Sequence, residues 1–147
     1  MNEWTCTIPG RPTTKGNSRR IFRAGGRPFT ASSPQAIAAE NNARAVAFAM
    51  RPVAPLVGPL RLDVHFVFAI PQAARERVSK RGKVTPAKLC PGEPCMRRID
   101  RGNLLKLIED ALEGIVYDND SQIVGGDVAK VWGERDETRV SVRALMG

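Results

Sequence analysis

The chain has 147 residues, with 23 Lys and Arg against 15 Asp and Glu, and a formal net charge of +8 at pH 7. That length suits one domain with a real hydrophobic core, and the charge points to an anionic partner, nucleic acid first, with plain solubility as the bland alternative. No run approaches the roughly 18 apolar residues of a membrane span, and MNEWTCTIPG lacks a basic stretch followed by an apolar one, so the expected location is cytoplasmic, with no membrane partner.

In chain order, residues 3 to 9 (EWTCTIP) predict a short strand stopped by Pro9-Gly10. The next stretch carries six basic residues between Arg11 and Arg27 and no acidic one. Its Gly and Pro content predicts loop or hairpin rather than helix. Ser33 and Pro34 are a good N-cap and first-turn pair, so an alanine-rich helix is expected from 34 to 50, ended by Arg51-Pro52. Residues 60 to 70 alternate: Leu60, Leu62, Val64, Phe66 and Phe68 fall on one face, and Arg61, Asp63 and His65 on the other. That is a half-buried strand with His65 on its polar side.

From 71 to 99 the pattern dissolves into a Pro- and Gly-dotted basic segment, read either as a mobile strand-gripping loop or as a disordered insertion. A helix follows, about Asn103 to Glu113. Leu104, Leu105, Ile108, Ala111 and Leu112 share its apolar face, opposite Lys106, Glu109, Asp110 and Glu113. Gly114 is a natural stop. IVY then predicts a short strand, DNDS a turn, QIVGGDVAKVWG a further strand region, and RVSVRAL a last strand. The expected architecture is a single α+β domain over 1–147: a mixed, mostly antiparallel sheet with two main helices packed on it. The helix at 34–50 would face the core or a second copy of the chain.

Cys6, Cys90 and Cys95, with His65 the one histidine, lack the paired four-ligand spacing of structural zinc. Free thiols in a reducing compartment are expected. Aromatic residues make up 5% of the chain, which argues against a stacking platform for single strands.

The chemistry concentrates in RRIDRGNLLKLIEDALEGIVYDNDSQI, residues 97 to 123. Phosphodiester cleavage at neutral pH calls for hard divalent ions on carboxylate oxygens and a cation for the charge developing on phosphate. Carboxylates crowded together repel one another unless a cation sits among them. Asp100 stands just before the helix, Lys106 lies in its early turns, and Asp118 and Asp120 sit in the turn after it. A helix-and-return connection would bring that turn back toward Asp100. The competing reading is that Asp100 only caps the helix and DND is only a turn.

This stretch resembles the RusA-type Holliday-junction resolvases, whose signature runs roughly D-x-D-N-L-x-K…D-A-L-x-G…D-D-x-Q-I. Asp100, N-L-L-K at 103 to 106, D-A-L at 110 to 112, Gly114 and D-S-Q-I at 120 to 123 match it. IPGRPTTKG resembles the family's opening strand and basic turn. The resemblance implies an endonuclease of phage or prophage origin that resolves four-way junctions and related branched DNA by attack of a metal-activated water. Mg²⁺ is the implied cofactor, Mn²⁺ a possible substitute, and the implied state a homodimer. It implies that Asp100 and Asp120 bind metal and that Lys106 contacts the reacting phosphate, making these three the catalytic set. Arg97, Arg98 and Arg101 are the first expected DNA contacts, then Lys15, Arg19 and Arg20. Two departures stand out. Gly102 replaces the family's second aspartate, and Asn119 precedes Asp120 where the family has adjacent aspartates. Asp118 is the carboxylate that would take up the lost ligand role. A weakened or inactive junction-binding protein is the alternative. Asp110 is matched too, as a site residue or as a salt-bridging residue on the polar face.

Overall fold

The computed structural model describes residues 2–15, 19–24 and 27–146, and for 19–24 and 27–32 the backbone alone. After strand β1 (Glu3–Pro9) come β2 (Arg19–Ala24) and β3 (Arg27–Ser32), an antiparallel pair, so the described part of the basic Gly-Pro stretch holds strands rather than helix. Helix α1 (Pro34–Ala49) follows, then β4 (Leu60–Ala69). A small hairpin of β5 (Arg77–Val78) and β6 (Val84–Thr85) interrupts the long basic segment. Helix α2 (Arg101–Leu112) precedes β7 (Ile123–Gly125), β8 (Val128–Gly133) and β9 (Glu137–Ala144).

The main sheet runs β1-β9-β4, all antiparallel, with β7 and then β8 parallel along the free side of β4. A parallel return needs a long crossover, which α2 and its flanks supply. The result is the expected α+β architecture, a mixed and mostly antiparallel sheet with two main helices.

Strand alternation decides which face the helices cover. Leu60, Leu62, Val64, Phe66 and Phe68 of β4 join Trp4, Cys6 and Ile8 of β1 and Val140 and Val142 of β9 in one core. Each such large side chain contributes roughly 1.5–3 kcal/mol by leaving water. The opposite face carries Thr5, Thr7, Asp63, His65, Arg139 and Ser141 around an open hollow of about 580 Å³. His65 is exposed there, on the polar side.

Helix α1 begins where expected: Ser33 caps it, its Oγ accepting from Ala36 N at 3.2 Å, and Pro34 opens the first turn. Its inward face is small, with Ala36, Ala43 and Ala47 buried, while Ile37 and Phe48 stay about half exposed. In α2 the buried stripe is Leu104, Leu107, Ile108, Ala111 and Leu112. Leu107 thus takes the place predicted for Leu105, which is only partly buried. The helix starts at Arg101, two residues before Asn103, because Asp100 is itself the cap.

Two other expectations change. IVY is not a strand but a tight turn after Gly114. Tyr117 is buried by packing and by its hydroxyl, which donates to the Glu109 carbonyl at 2.7 Å. QIVGGDVAKVWG is two strands, divided at Gly126. There φ is +141°, and a Cβ would lie 1.7 Å from the Leu62 carbonyl oxygen, so only glycine lets the chain pass β4 this closely.

Candidate active site

Residues 92 to 97 bring the chain to the site along β8. Gly92 N donates to Trp132 O at 2.8 Å, Trp132 N to Glu93 O at 2.9 Å, and Cys95 N to Lys130 O at 2.9 Å. The Lys130 ammonium then donates to the carbonyls of Arg97 at 2.7 Å and Ile99 at 2.9 Å. These bonds fix the residues immediately before Asp100. One Asp100 carboxylate oxygen accepts from Asn103 N at 3.1 Å, closing the first turn of α2.

At about 100° per residue, Asn103, Lys106, Asp110 and Glu113 fall within one stripe of α2. The stripe faces the turn that carries Asp120. Lys106 Nζ lies 3.5 Å from Asp120 Oδ2 and 3.4 Å from Asp110 Oδ1. Asp110 Oδ2 in turn meets Lys15 Nζ at 2.5 Å, and Lys15 reaches Glu40 of α1 at 3.0 Å. Burial alone would raise the Asp110 carboxyl, but its hydrogen bond to Lys15 and the two ammonium charges hold it below its ordinary value. Glu109 moves the other way: burial raises it, and the charges of Asp120 and Asp110 push in the same direction against the attraction of Lys106.

Among the described residues, one group of three metal-capable side chains forms. Asp110, Glu113 and Asp120 each offer a carboxylate oxygen within 4.8 Å of the others. Three hard, anionic oxygens at that spacing suit a hard divalent cation. Asp120 and Lys106, two of the residues singled out from the sequence, lie side by side. Asp100 stands at the N-terminal end of the same helix and Asp118 is exposed in the turn, both outside this group.

The turn is built by Gln122. Its Oε1 accepts from the N–H groups of Asp118 and Asn119, both at 3.0 Å. Its Nε2 donates to the carbonyls of Leu56 and Gly58, both at 3.1 Å. Asn119 caps the short 3-10 turn at 120–122 by accepting from Ser121 N at 2.8 Å. Sequence reasoning assigned no role to Gln122, Glu113 or Lys130. The Asn-x-x-Gln spacing, a capping-box pattern, was the available signal for Gln122. Glu113 was visible only as part of a polar face, and nothing local distinguished Lys130.

Of the expected DNA contacts, Arg98 and Arg101 are exposed. Arg101 also donates to the Val128 carbonyl at 3.1 Å. The Arg97 guanidinium lies 5.6 Å from the Trp132 ring centre and 5.8 Å from that of Phe68. Lys15 is held by its two carboxylates. The side chains of Arg19 and Arg20, on β2, lie outside the described residues. A Cβ at Gly102 would sit 3.2 Å from Asp100 Oδ1, so position 102 points at the Asp100 carboxylate.

Among the described residues no helix is long and apolar enough to cross a membrane. The chain is 26% identical over 139 residues to the uncharacterized protein YqaN of Bacillus subtilis (strain 168), covering 95% of this chain and 94% of that one. The family described as Endodeoxyribonuclease RusA matches residues 9–143. A basic domain that sets a lysine among carboxylates on one helix stripe, matched to that family over nearly its whole length, belongs to the RusA family of Holliday-junction-resolving endodeoxyribonucleases.

Proposed function

We propose that this chain is a divalent-metal-dependent resolvase of four-way and related branched DNA, using Mg²⁺ with Mn²⁺ as a substitute and working as a homodimer that nicks opposing strands in pairs. The cytoplasm of a bacterial host, with a phage or prophage origin, belongs to the same reading. The observation that carries it is the Lys106 ammonium set between Asp110 and Asp120, beside three carboxylate oxygens spaced for a hard cation.

A divalent ion bound here supplies Lewis acidity that activates water and stabilises the leaving oxygen. Asp120 is common to both possible ligand sets, Asp100 with Asp118 and Asp110 with Glu113. Lys106 offers its protons to a non-bridging phosphate oxygen, where negative charge grows during attack. Gln122 holds the turn carrying Asp120 at a fixed height over α2. Arg97, Arg98 and Arg101 flank Asp100 and neutralise phosphates on either side of the reacting one.

One observation favours a second reading. Position 102 points at Asp100, and a glycine there leaves that spot without a second carboxylate, so the chain would bind junctions and cut them slowly or not at all. The test is cleavage of a labelled four-way junction with Mg²⁺, Mn²⁺ or EDTA, linear duplex as competitor and Asp120→Asn as control. Paired nicks that need metal and vanish in the variant are expected. Tight junction binding without nicks under either metal would leave the binding-only reading, and Gly102→Asp would then be expected to restore cutting.

A further inference from the structure

By sequence Lys15 belongs to the basic turn expected to grip DNA, yet its ammonium is committed inside the protein, 3.0 Å from Glu40 and 2.5 Å from Asp110. Its backbone is seated as well, Lys15 N donating to the Asn103 carbonyl at 3.3 Å on the first turn of α2. The Asp110 main chain is held from the other side, where Arg44 donates to its carbonyl at 2.9 Å. The two carboxylate oxygens of Asp110 are thus divided, Oδ2 for Lys15 and Oδ1 for Lys106.

We propose that Lys15 is a positioning residue of the catalytic centre: by occupying Oδ2 of Asp110 it limits Lys106 to Oδ1 and so sets the Lys106 ammonium opposite Asp120. This rests on the reading of Lys106 and Asp120 as catalytic. Glu40, Lys15, Asp110, Lys106 and Asp120 alternate in charge along one chain of contacts. Each ammonium is shared between two carboxylates, which restricts where it can rest. Without Lys15, Asp110 turns both oxygens toward Lys106 and draws it from Asp120. The same contacts tie the basic turn and α1 to α2, so the site registers how these elements are seated.

The experiment uses Lys15→Met in the full chain, with a four-way junction as substrate. The expected loss in kcat is roughly 10- to 100-fold, the scale of misplacing a reacting group by about an ångström. Junction Kd in EDTA is expected to stay within about twofold, with the salt slope unchanged. In an Asp110→Asn background, Lys15→Met is expected to change kcat by less than about twofold, because both act through one link. Lys15→Arg is expected to recover part of the rate. By nitrogen NMR of the side-chain ammonium groups, the Lys106 resonance is expected to shift in Lys15→Met, and the Lys15 resonance of the native chain to stay put when junction is added in EDTA.

A weaker Kd with the salt slope reduced by about 1, or a Lys15 resonance that moves on DNA addition, would make Lys15 a phosphate contact and overturn the proposal. Multiplying losses in the double variant would overturn it too. If the native chain cuts nothing, the nuclease reading fails, while the Lys106 resonance still decides whether Lys15 positions it. Should Lys15→Met not fold, Glu40→Gln replaces it, with a smaller kcat loss expected and an unchanged rate counting against us.

Discussion

Asp100 caps α2, and its proposed metal-ligand role can be separated from that cap by substitution. As N-cap it needs only an oxygen that accepts from Asn103 N; as the proposed metal ligand it would need charge. Asp100→Asn is expected to keep the cap, with Tm nearly unchanged, while weakening Mn²⁺ binding and cutting the rate. Asp100→Ala loses both, at about 1 kcal/mol of stability, which denaturant unfolding of the two variants side by side would measure. Asp110 gives a pH signature. Its carboxyl titrates lower in the folded chain than its ordinary 3.8, so its pairing adds stability above the unfolded value and loses it as pH falls through the folded one. Asp110→Asn is therefore expected to be less stable than the native chain at pH 7 and to lose less stability between about pH 4 and pH 2. Denaturant midpoints across that range would show whether the acid limb flattens.

At the scale of elements, the polar stripe of α2 was legible because helical spacing makes Lys106, Asp110 and Glu113 neighbours whatever packs around them. The buried stripe was legible to within one residue, Leu107 for Leu105, since these two flank opposite edges of the stripe and a small rotation of the helix on the sheet buries one in place of the other. The turn at 115–117 was misread as a strand because Ile115, Val116 and Tyr117 look like a β run. What overrides that propensity is the burial of Tyr117 and its bond to Glu109. The break between β7 and β8 makes a sharp prediction. Gly126→Ala is expected to cost roughly 3 kcal/mol or more, since its Cβ would overlap the Leu62 backbone. Gly114→Ala, with φ +83° but open space around it, is expected to cost only about 1–2 kcal/mol. Urea unfolding of both variants tests whether the close approach, rather than the dihedral angle, dominates.

Over the whole molecule, the net charge of +8 favours a phosphate-rich partner, and the number of phosphates contacted sets how such binding responds to salt. Arg98→Ala is expected to weaken junction binding and to lower the slope of log K against log salt by about 1, with Tm unchanged. Arg97→Ala is expected to lower Tm as well, because its guanidinium packs over Phe68 and Trp132. Equal Tm values for the two variants would show that this stacking adds nothing to stability.

The sequence by itself determined the α+β class, the strand faces, the two helices and the family, because alternation, helical period, caps and a spaced motif are all local properties of the chain. The tertiary structure decided which carboxylates meet. Asp120 joins Lys106, Asp110 and Glu113 because the Gln122 bonds to the carbonyls of Leu56 and Gly58 fold the turn over α2. It also decided that Lys15 faces Asp110 and Glu40, residues 95 and 25 positions away along the chain. Pairings at that separation depend on how α1, α2 and the sheet pack, and no local spacing encodes them.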